Sequence, residues 1–329
     1  MGVKILSLYD GMACGMIAML LAGVPVESYD AYEIDKYAIK TAQHNFPMIK
    51  EHGDVFDADF TQYEGVDFLI GGSPCTYWSI AQTKNRETVA SGMGWELFSQ
   101  YVRALHEAKP KYFIYENNKS MSKQIRASID KAFGFEAVLI NSALVSAQNR
   151  QRLYWVGRRN EDGSYSKVNV EQPADRGILL KDVLDNMAAE PINTDANGKS
   201  FCVTSRYYKG FGNNPGKCLE KHRDSMVAEA IIEFDDDGKP IKAIGKDGKE
   251  ITIYEVRDGK ITIKGKQYPI KLKDGFYIIR KLTVSECKRL QTVPEWYEFP
   301  VSNSQAYKML GNGWTCEVIA HLIRSCMYI

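Results

Sequence analysis

The chain has 329 residues, and its 42 lysine and arginine residues are balanced by 41 aspartate and glutamate residues. This near-zero net charge gives no overall sign of a polyanionic partner, although charge can still be segregated locally. The length is sufficient for one large domain and a smaller one. Seven widely spaced cysteines with no Cys-x-x-Cys pair are typical of a reduced cytosolic protein and argue against a disulfide framework or a zinc site. We therefore expect no metal.

The first residues pass directly into a short apolar run, without a basic leader or a small-residue cleavage site. The longest apolar stretch nearby, residues 16–24, is far shorter than the ~20 residues that a membrane span needs. These features predict a soluble cytoplasmic protein with no membrane partner.

Short apolar runs alternate with helix-length periodic segments from residue 3 to about residue 158. This alternation indicates βαβ units and hence a doubly wound α/β domain with a mostly parallel sheet. The predicted strands are residues 3–8, 28–33, 66–71, 112–116, 135–141 and 152–158. Apolar residues at helical spacing predict crossover helices over residues 36–45, 94–108 and 119–133.

The character of the sequence changes near Pro173, and residues 191–274 are rich in turn signals such as Asp247-Gly248 and Asp258-Gly259. Alternating β-type runs between these turns predict a small β-rich lobe. Residues 239–281 contain twelve basic and five acidic residues, and aromatic residues lie among them. A solvated hairpin surface and a groove for a polyanion both fit this pattern. The interleaved aromatic residues are Tyr254, Tyr268, Phe276 and Tyr277.

Two further helices are predicted near the end of the chain. Thr283-Val284-Ser285-Glu286 is a capping box that predicts a helix over residues 284–290. An amphipathic segment over residues 315–327 follows the turn Gly311-Asn312-Gly313 and is suited to pack back on the first lobe. We predict that residues 1–172 and 303–329 form the large domain and that residues 173–302 form the β-rich one.

Cys75 is the most informative single residue. It ends the sequence Gly71-Gly72-Ser73-Pro74-Cys75 directly after a predicted strand, so its thiol should lie at the carboxyl edge of the sheet. Open α/β sheets bind their ligands at that edge. An isolated cysteine is more often a small buried apolar residue, but this position favours a role in chemistry.

A ligand pocket is predicted where the first strands end. The segment from Tyr9 to Gly15 follows the first strand and opens a helix, whose amides can face a ligand. It has neither the G-x-G-x-x-G spacing nor a Walker lysine, and a tight turn that needs glycine explains it equally well. Glu33 and Asp54 follow the next strands, where each could bind a nucleoside or cap a helix. Together these residues predict a nucleoside pocket without a phosphate site.

Glu116 closes the strand that we expect beside the strand of Cys75. A partly desolvated carboxyl group at this edge is suited to proton donation, and helix capping is the alternative. In Gln148-Asn149-Arg150-Gln151-Arg152, strand alternation places Arg150 and Arg152 on one side. Two guanidinium groups facing the crevice could bind a carbonyl oxygen or a phosphate, whereas surface arginines at the start of a strand are the simpler interpretation.

Taken in order, these motifs resemble the DNA cytosine-5 methyltransferase family over almost the whole chain. The turn after the first strand, the Gly-Gly-Ser-Pro-Cys segment and Trp314 are similar to the catalytic domain of eukaryotic de novo methyltransferases. The Gln-x-Arg-x-Arg run and the intervening lobe are similar to bacterial and phage enzymes. Asn118 replaces a valine common in the family, and Ala13 and Cys14 replace glycines. The matching segments are 9–15, 33–37, 53–55, 72–75, 116–117, 148–152, 280–291 and 305–312.

The resemblance implies a class I S-adenosylmethionine-dependent methyltransferase of Rossmann-like fold that flips cytosine out of double-stranded DNA. Cys75 would attack C6, Glu116 would hold N3 and the exocyclic amine, and Arg152 would bind O2. Arg150 would neutralise a backbone phosphate or position the Cys75 loop. Residues 76–94 would form a lid with a hinge at 91–94. S-adenosylmethionine would be bound by Tyr9, Gly11, Glu33, Ile34, Asp54, Val55, Pro74, Leu97 and Asn312.

The same resemblance implies a monomer in a bacterial or phage-infected cell, and it leaves a cognate restriction enzyme open. Three other functions were compared. An RNA cytosine methyltransferase would use the same thiol and carboxyl group. A catalytically silent DNA-binding relative should lack Cys75 or Glu116, and a nicotinamide dehydrogenase should carry the glycine fingerprint. The target sequence depends on a few side chains in the β-rich lobe and cannot be read from the sequence.

Overall fold

A computed structural model describes residues 2–80, 86–209, 214–221, 224–241 and 250–327. Its strands are β1 (Val3–Leu8), β2 (Val26–Tyr32), β3 (Lys50–Glu51), β4 (Phe68–Gly71), β5 (Tyr112–Asn118), β6 (Val138–Asn141), β7 (Gln148–Asn149), β8 (Gln151–Arg159), β9 (Tyr165–Lys167), β10 (Glu190–Ile192), β11 (Ser200–Phe201), β12 (Met226–Ala230), β13 (Ile253–Arg257), β14 (Lys260–Ile263), β15 (Lys266–Pro269) and β16 (Gly275–Lys281). Its helices are α1 (Cys14–Ala22), α2 (Lys36–Asn45), α3 (Met93–Ala108), α4 (Lys123–Phe133), α5 (Gly216–Lys221), α6 (Val284–Leu290), α7 (Asn303–Asn312) and α8 (Cys316–Met327).

The larger sheet has the order β3-β2-β1-β4-β5-β8-β6, and β9 pairs with β8. Strands β1 to β5 are parallel, whereas β8 runs antiparallel to both β5 and β6. The chain moves outward in opposite directions from β1 and β4, so a crevice opens beyond their carboxyl ends. The predicted doubly wound, mostly parallel α/β fold is confirmed.

Both faces of this sheet are covered by apolar side chains. Successive residues of β1 point to opposite faces: Ile5 belongs to the apolar cluster that includes Ile17 of α1 and Ile319 of α8, while Leu6 belongs to the cluster that includes Phe98 of α3. A sheet buried on both faces needs apolar residues at nearly every position. This requirement explains why its strands read as continuous apolar runs.

Capping residues set several helix boundaries. Ser122 Oγ accepts a hydrogen bond from the Ile125 amide, so α4 begins at Lys123 and not at residue 119 as predicted. The predicted capping box of α6 is confirmed, because Thr283 and Glu286 bond to each other's backbone amides. Helix α7 was not predicted.

A second, antiparallel sheet has the order β10-β12-β16-β13-β14-β15. Strands β13 and β14 are joined through Asp258-Gly259, and both residues have positive φ, as two-residue hairpin turns require. The predicted β-rich character of this region is thus confirmed. The turn at Asp247-Gly248 and the basic residues Lys242, Lys246 and Lys249 lie outside the described residues. The domain bounds at 172/173 and 302/303 stay a prediction.

The end of the chain packs against its beginning, next to the crevice. Helix α8 packs on α1, and Tyr297 before α7 donates a hydrogen bond of 2.7 Å to the carbonyl of Met12. The turn between α7 and α8 therefore lies beside the first strand-to-helix turn. Within the described ranges, none of the helices combines the length and apolar character that crossing a membrane requires.

Candidate active site

The Cys75 loop is fixed to the neighbouring strand. Strand β4 pairs in parallel with β5, as predicted, and ends at Gly71. Four residues later Cys75 begins a short 3₁₀ turn. Ser73 Oγ lies 2.7 Å from the Tyr115 hydroxyl, and Asn117 donates a hydrogen bond of 3.1 Å to the Ser73 carbonyl. These contacts place the half-buried thiol at the carboxyl edge of the sheet.

The thiol of Cys75 is not pre-ionised. Burial raises its pKa, nearby Glu116 acts in the same direction, and the Arg152 guanidinium partly opposes them. A thiol, not a thiolate, is therefore the main form at neutral pH in the free protein. Its activation needs a change in surroundings that favours the thiolate.

Glu116 is buried, and both of its carboxylate oxygens are engaged. Its Oε1 lies 3.1 Å from Nε of Arg152. Its Oε2 accepts a hydrogen bond of 2.9 Å from the indole Nε1 of Trp314. The sequence placed Glu116 and Arg152 at one crevice, and the structure brings them into direct contact. The sequence did not indicate the contact between Glu116 and Trp314.

Three groups of the protein contact the Arg152 guanidinium. In addition to Glu116, it donates to the carbonyl of Gln151 at 2.9 Å and approaches Sγ of Cys202 at 3.9 Å. Burial by itself lowers an arginine pKa, but Cys202, Glu116 and Cys75 outweigh this effect, so the pKa of Arg152 is raised. The guanidinium remains charged beside the thiol.

Arg150 faces the same side as Arg152 but is almost fully buried. Its guanidinium donates to the carbonyls of Val203 at 3.1 Å, Gly311 at 3.2 Å and Gly313 at 2.8 Å. A cation used in this way binds chain segments together and has little surface left for a phosphate. These hydrogen bonds hold the segments of Val203 and of Gly311–Gly313, not the Cys75 loop, so both roles considered for Arg150 stay predictions.

Cys202 is a second half-buried thiol beside these arginines. Arg150 Nη1 lies 3.3 Å from its sulfur. Burial raises the pKa of a thiol, but Arg150 and Arg152 overcome this effect, so the pKa of Cys202 is lowered. The sequence did not indicate Cys202, because no motif or strand pattern relates it to Arg150.

One cavity connects the thiol to the predicted cofactor residues. The catalytic candidates on its walls are Cys75, Glu116, Arg150 and Arg152, and the cofactor candidates are Tyr9, Gly11, Glu33, Pro74 and Asn312. Glu33 Oε2 accepts from the Gly11 amide, and its Oε1 accepts from the amides of Ile34 and Asp35, each at 2.8 Å. The carboxylate is thus fixed where β1 and β2 end.

Four predicted cofactor residues do not line this cavity. Ile34 is 74% exposed, and the Asp54 side chain accepts a hydrogen bond from the Phe56 amide. The carbonyl of Val55 accepts from Arg103, and the carbonyl of Leu97 accepts from the Tyr9 hydroxyl at 2.6 Å. Leu97 therefore adjoins a cavity residue. The cofactor role of all four stays a prediction.

The predicted lid is described only in part. Residues 81–85 lie outside the described residues. On either side of them, Glu87 accepts hydrogen bonds from the Trp78 indole and the Gly94 amide. Gly92 has φ of 82°, a conformation that favours glycine. The hinge at residues 91–94 stays a prediction.

Two acidic residues beside the cavity were not predicted as site residues. Asp10 Oδ1 accepts hydrogen bonds from Ser7 and Tyr29, while its Oδ2 is buried without a partner within the described structure. Burial raises the pKa of Asp10 to about 6. Both oxygens of Glu51 are also buried and lack a described partner. Burial, together with Asp10 and Glu33, raises the pKa of Glu51 to about 8.

The residues described here contain no group of three or more histidine, cysteine or acidic side chains suited to hold a metal ion.

Comparison with known proteins gives a consistent answer. Residues 3–328 match the family model for C-5 cytosine-specific DNA methylases. The chain is 28% identical to the type II methyltransferase M1.ScrFI of Lactococcus lactis subsp. cremoris, over 87% of this chain and 68% of that protein. It is 25% identical to the type II methyltransferase M.HhaI of Haemophilus parahaemolyticus, over 98% and 93%. It is 24% identical to the orphan methyltransferase M.SPRI of Bacillus phage SPR, over 99% and 98%.

Solved structures agree at the level of the fold. The crystal structure of a Spodoptera frugiperda DNMT2 mutant aligns with a TM-score of 0.60 at 17% identity, over 99% of each chain. The structure of the Dnmt2 methyltransferase of S. pombe aligns with a TM-score of 0.56 at 16% identity, over 99% of this chain and 98% of that one. Since the family model spans nearly every residue, the chain belongs to the C-5 cytosine-specific DNA methylase family and is a DNA cytosine-5 methyltransferase.

Proposed function

We propose that this protein transfers a methyl group from S-adenosylmethionine to C5 of a flipped-out cytosine in double-stranded DNA, with Cys75 as the nucleophile. The observation that carries this proposal is one cavity that contains the Cys75 thiol, the Glu116 carboxylate and the Arg152 guanidinium. The same cavity extends to Glu33 and Gly11 at the ends of β1 and β2. The proposed nucleophile, the proposed acid and the proposed nucleoside pocket thus lie along one continuous cavity.

The residues of the cavity fit S-adenosylmethionine. Glu33, fixed by three backbone amides, offers carboxylate oxygens to ribose hydroxyls. Asp10, which also lines the cavity, adds a second carboxylate near the cationic part of the molecule. Pro74 and Asn312 would complete the walls, with Ile34, Asp54, Val55 and Leu97 beside them. When bound there, S-adenosylmethionine supplies an electrophilic methyl group.

The reaction is difficult because C5 of cytosine is a poor nucleophile and does not attack an electrophilic carbon unaided. The Cys75 thiol first releases its proton to water; the sulfur then adds to C6 and forms a C–S bond, while the electron pair of the C5–C6 double bond moves to C5 and makes it nucleophilic. Glu116 holds N3 and the exocyclic amine, and Arg152 binds O2, so that charge developing on the ring is stabilised. After methylation, a base removes the C5 proton, the double bond re-forms and the C–S bond breaks.

Both predicted domains would contribute to flipping the base out of the duplex and binding it. C5 is inaccessible within a duplex, and unstacking the base costs on the order of a few kcal/mol. We propose that residues 173–302 supply the DNA contacts that offset this cost, while residues 1–172 and 303–329 hold the cofactor. Arg150 keeps these segments together, and residues 76–94 close over the base.

The proposal extends to a monomer acting in the cytoplasm of a bacterial or phage-infected cell. The similar proteins include both type II and orphan methyltransferases by name. A cognate restriction enzyme is therefore one of two outcomes, and its gene neighbourhood would decide between them.

The test is incubation of the purified chain with labelled S-adenosylmethionine and duplex DNA, followed by bisulfite sequencing. We expect 5-methylcytosine at a defined sequence, no product with Cys75→Ala, and a strongly reduced but measurable rate with Glu116→Gln. A duplex containing 5-fluorocytosine should form an adduct with wild type that survives denaturation, because no C5 proton is available for elimination. Unmethylated DNA with wild type, or full activity of Cys75→Ala, would disprove the mechanism. Label in RNA but not in DNA would change the substrate class.

A further inference from the structure

The contact between Trp314 and Glu116 is not explained by the mechanism above. Glu116 Oε1 faces Arg152, but its Oε2 is occupied by the Trp314 indole at 2.9 Å. An N–H donor to a buried carboxylate is among the stronger hydrogen bonds in proteins. A base that binds Glu116 through N3 and the exocyclic amine has to share or replace this donor.

The segment that carries Trp314 is anchored on both sides of the indole. Arg150 donates to the carbonyls of Gly311 and Gly313. Gln291 donates to the carbonyl of Leu310 at 2.5 Å, and its own carbonyl oxygen Oε1 accepts from the hydroxyl of Thr315 at 2.9 Å. With the backbone held in this way, the indole has little freedom to leave its position.

The Cys75 loop closes against the same pair of residues. A Cβ added to Gly72 would lie 2.8 Å from the Glu116 carbonyl oxygen, 3.1 Å from Glu116 Oε2 and 3.5 Å from Trp314 Nε1. Only a residue without a side chain lets the loop approach this closely. Three segments therefore meet at Glu116 Oε2: the loop of the nucleophile, the strand of the acid, and the turn between α7 and α8.

We propose that Trp314 is a positioning residue for Glu116: it fixes the orientation of the carboxylate before the cytosine binds, and it yields Oε2 to the cytosine when the base enters. This inference rests on the proposed function, since it assigns a role within the same site. In this role the indole, which also lines the cavity, acts through Glu116. The turn that contains Trp314 also places Asn312 and Gly313 on the wall of the cofactor cavity. The segment that closes the cavity therefore also orients the Glu116 carboxylate.

The experiment compares Trp314→Phe with a matched control. Trp155→Phe removes the same type of bond elsewhere, because the Trp155 indole donates to Asp130 at 2.8 Å on the far side of β8. Single-turnover methylation, covalent capture by a 5-fluorocytosine duplex, and Kd for S-adenosylmethionine and for the duplex are measured. We expect Trp314→Phe to slow both methylation and capture by about tenfold, as for loss of one bond to a charged group. Both Kd values should stay within about twofold, and Trp155→Phe should keep the wild-type rates.

A double variant tests whether the effect passes through Glu116. If Trp314 acts only by holding that carboxylate, Glu116→Gln with Trp314→Phe should be no slower than Glu116→Gln alone. The inference would be overturned if the rate losses of the two single variants multiplied in the double variant. It would also be overturned by an unchanged rate in Trp314→Phe, or by a defect confined to the Kd of S-adenosylmethionine.

Gly72→Ala perturbs the same carboxylate and leaves the indole intact. Its added methyl group would lie 2.8 Å from the Glu116 carbonyl oxygen and 3.1 Å from Oε2, so the loop and the carboxylate both have to shift and the rate should fall; a wild-type rate would contradict the inference. Failure of the proposed function gives a different result, since wild type itself would then neither methylate nor be captured.

Discussion

Arg152 Nε lies 3.1 Å from Glu116 Oε1 across two antiparallel strands. In the register of β5 and β8, Arg152 is opposite Asn118, two residues beyond Glu116. Side chains two residues apart share a face, so the arginine reaches the carboxylate along a diagonal of the sheet. The only antiparallel neighbour of β5 in the described sheet thus supplies the cation of the site.

Arg152→Lys should separate charge from geometry. Lysine keeps the positive charge but lacks the planar fork that contacts Glu116, the Gln151 carbonyl and Cys202 together. We expect single-turnover methylation to fall by about tenfold or more. Arg158→Lys, an exposed position on the same strand, is the control and should keep the wild-type rate. Equal rates for the two variants would show that charge alone suffices at Arg152.

Arg150→Ala should destabilise the fold. The guanidinium is buried, and its removal leaves the carbonyls of Gly311 and Gly313 without their donor. We expect a loss of about 3 kcal/mol in the free energy of unfolding, measured by urea denaturation. Arg150→Gln, which removes the charge, should bind DNA with an unchanged salt dependence; a slope reduced by about one would instead reveal a phosphate contact.

The two thiols of the site should react in a defined order. The pKa of Cys75 is raised by burial, whereas Arg150 and Arg152 overcome burial and lower the pKa of Cys202. Thiolates are the reactive form, and both residues are half-buried. At neutral pH, limiting iodoacetamide should label Cys202 before Cys75, as read by peptide mass spectrometry. The rate at Cys75 should rise as the pH increases, and faster labelling of Cys75 at pH 7 would contradict this order.

Glu51→Gln should stabilise the protein at alkaline pH. The pKa of Glu51 is raised from 4.5 to about 8 by burial, Asp10 and Glu33, so the fold favours its neutral form. The stability that this preference contributes is complete below pH 4.5 and is lost as the pH rises towards 8. Glutamine stays neutral throughout. With allowance for solvent screening, we expect a gain of about 2 kcal/mol at pH 8 and almost none at pH 4.5.

Thermal unfolding at several pH values measures this difference. Asp182→Asn offers a control, because that carboxylate is near the surface and bonds to the amide of Leu179. A stabilisation of Glu51→Gln that does not grow with pH would show that the carboxyl group is not held neutral.

The sequence predicted the sheet well because its strands are buried on both faces. Residues 3–8 and 36–45 were predicted with the observed bounds, since local apolar patterns determine them. It also predicted that Cys75 and Glu116 share an edge, because parallel strands end on the same side.

What sequence patterns could not give are contacts between distant segments. Trp314 reaches Glu116 across 198 residues, and Cys202 reaches Arg150 across 52. Neither contact leaves a periodic signal. The unpaired oxygens of Asp10 and Glu51 were likewise hidden, because burial of a single acidic side chain depends on the packing of several elements.

The hydrogen bond from Tyr297 to Met12 joins residues 285 positions apart. The cavity is lined both by Met12 and its neighbours and by residues of the segment 308–314. During synthesis, the ribosome has to deliver residue 314 before the two segments can meet, and contacts of such separation form slowly. The cavity therefore cannot form until residue 314 has been made.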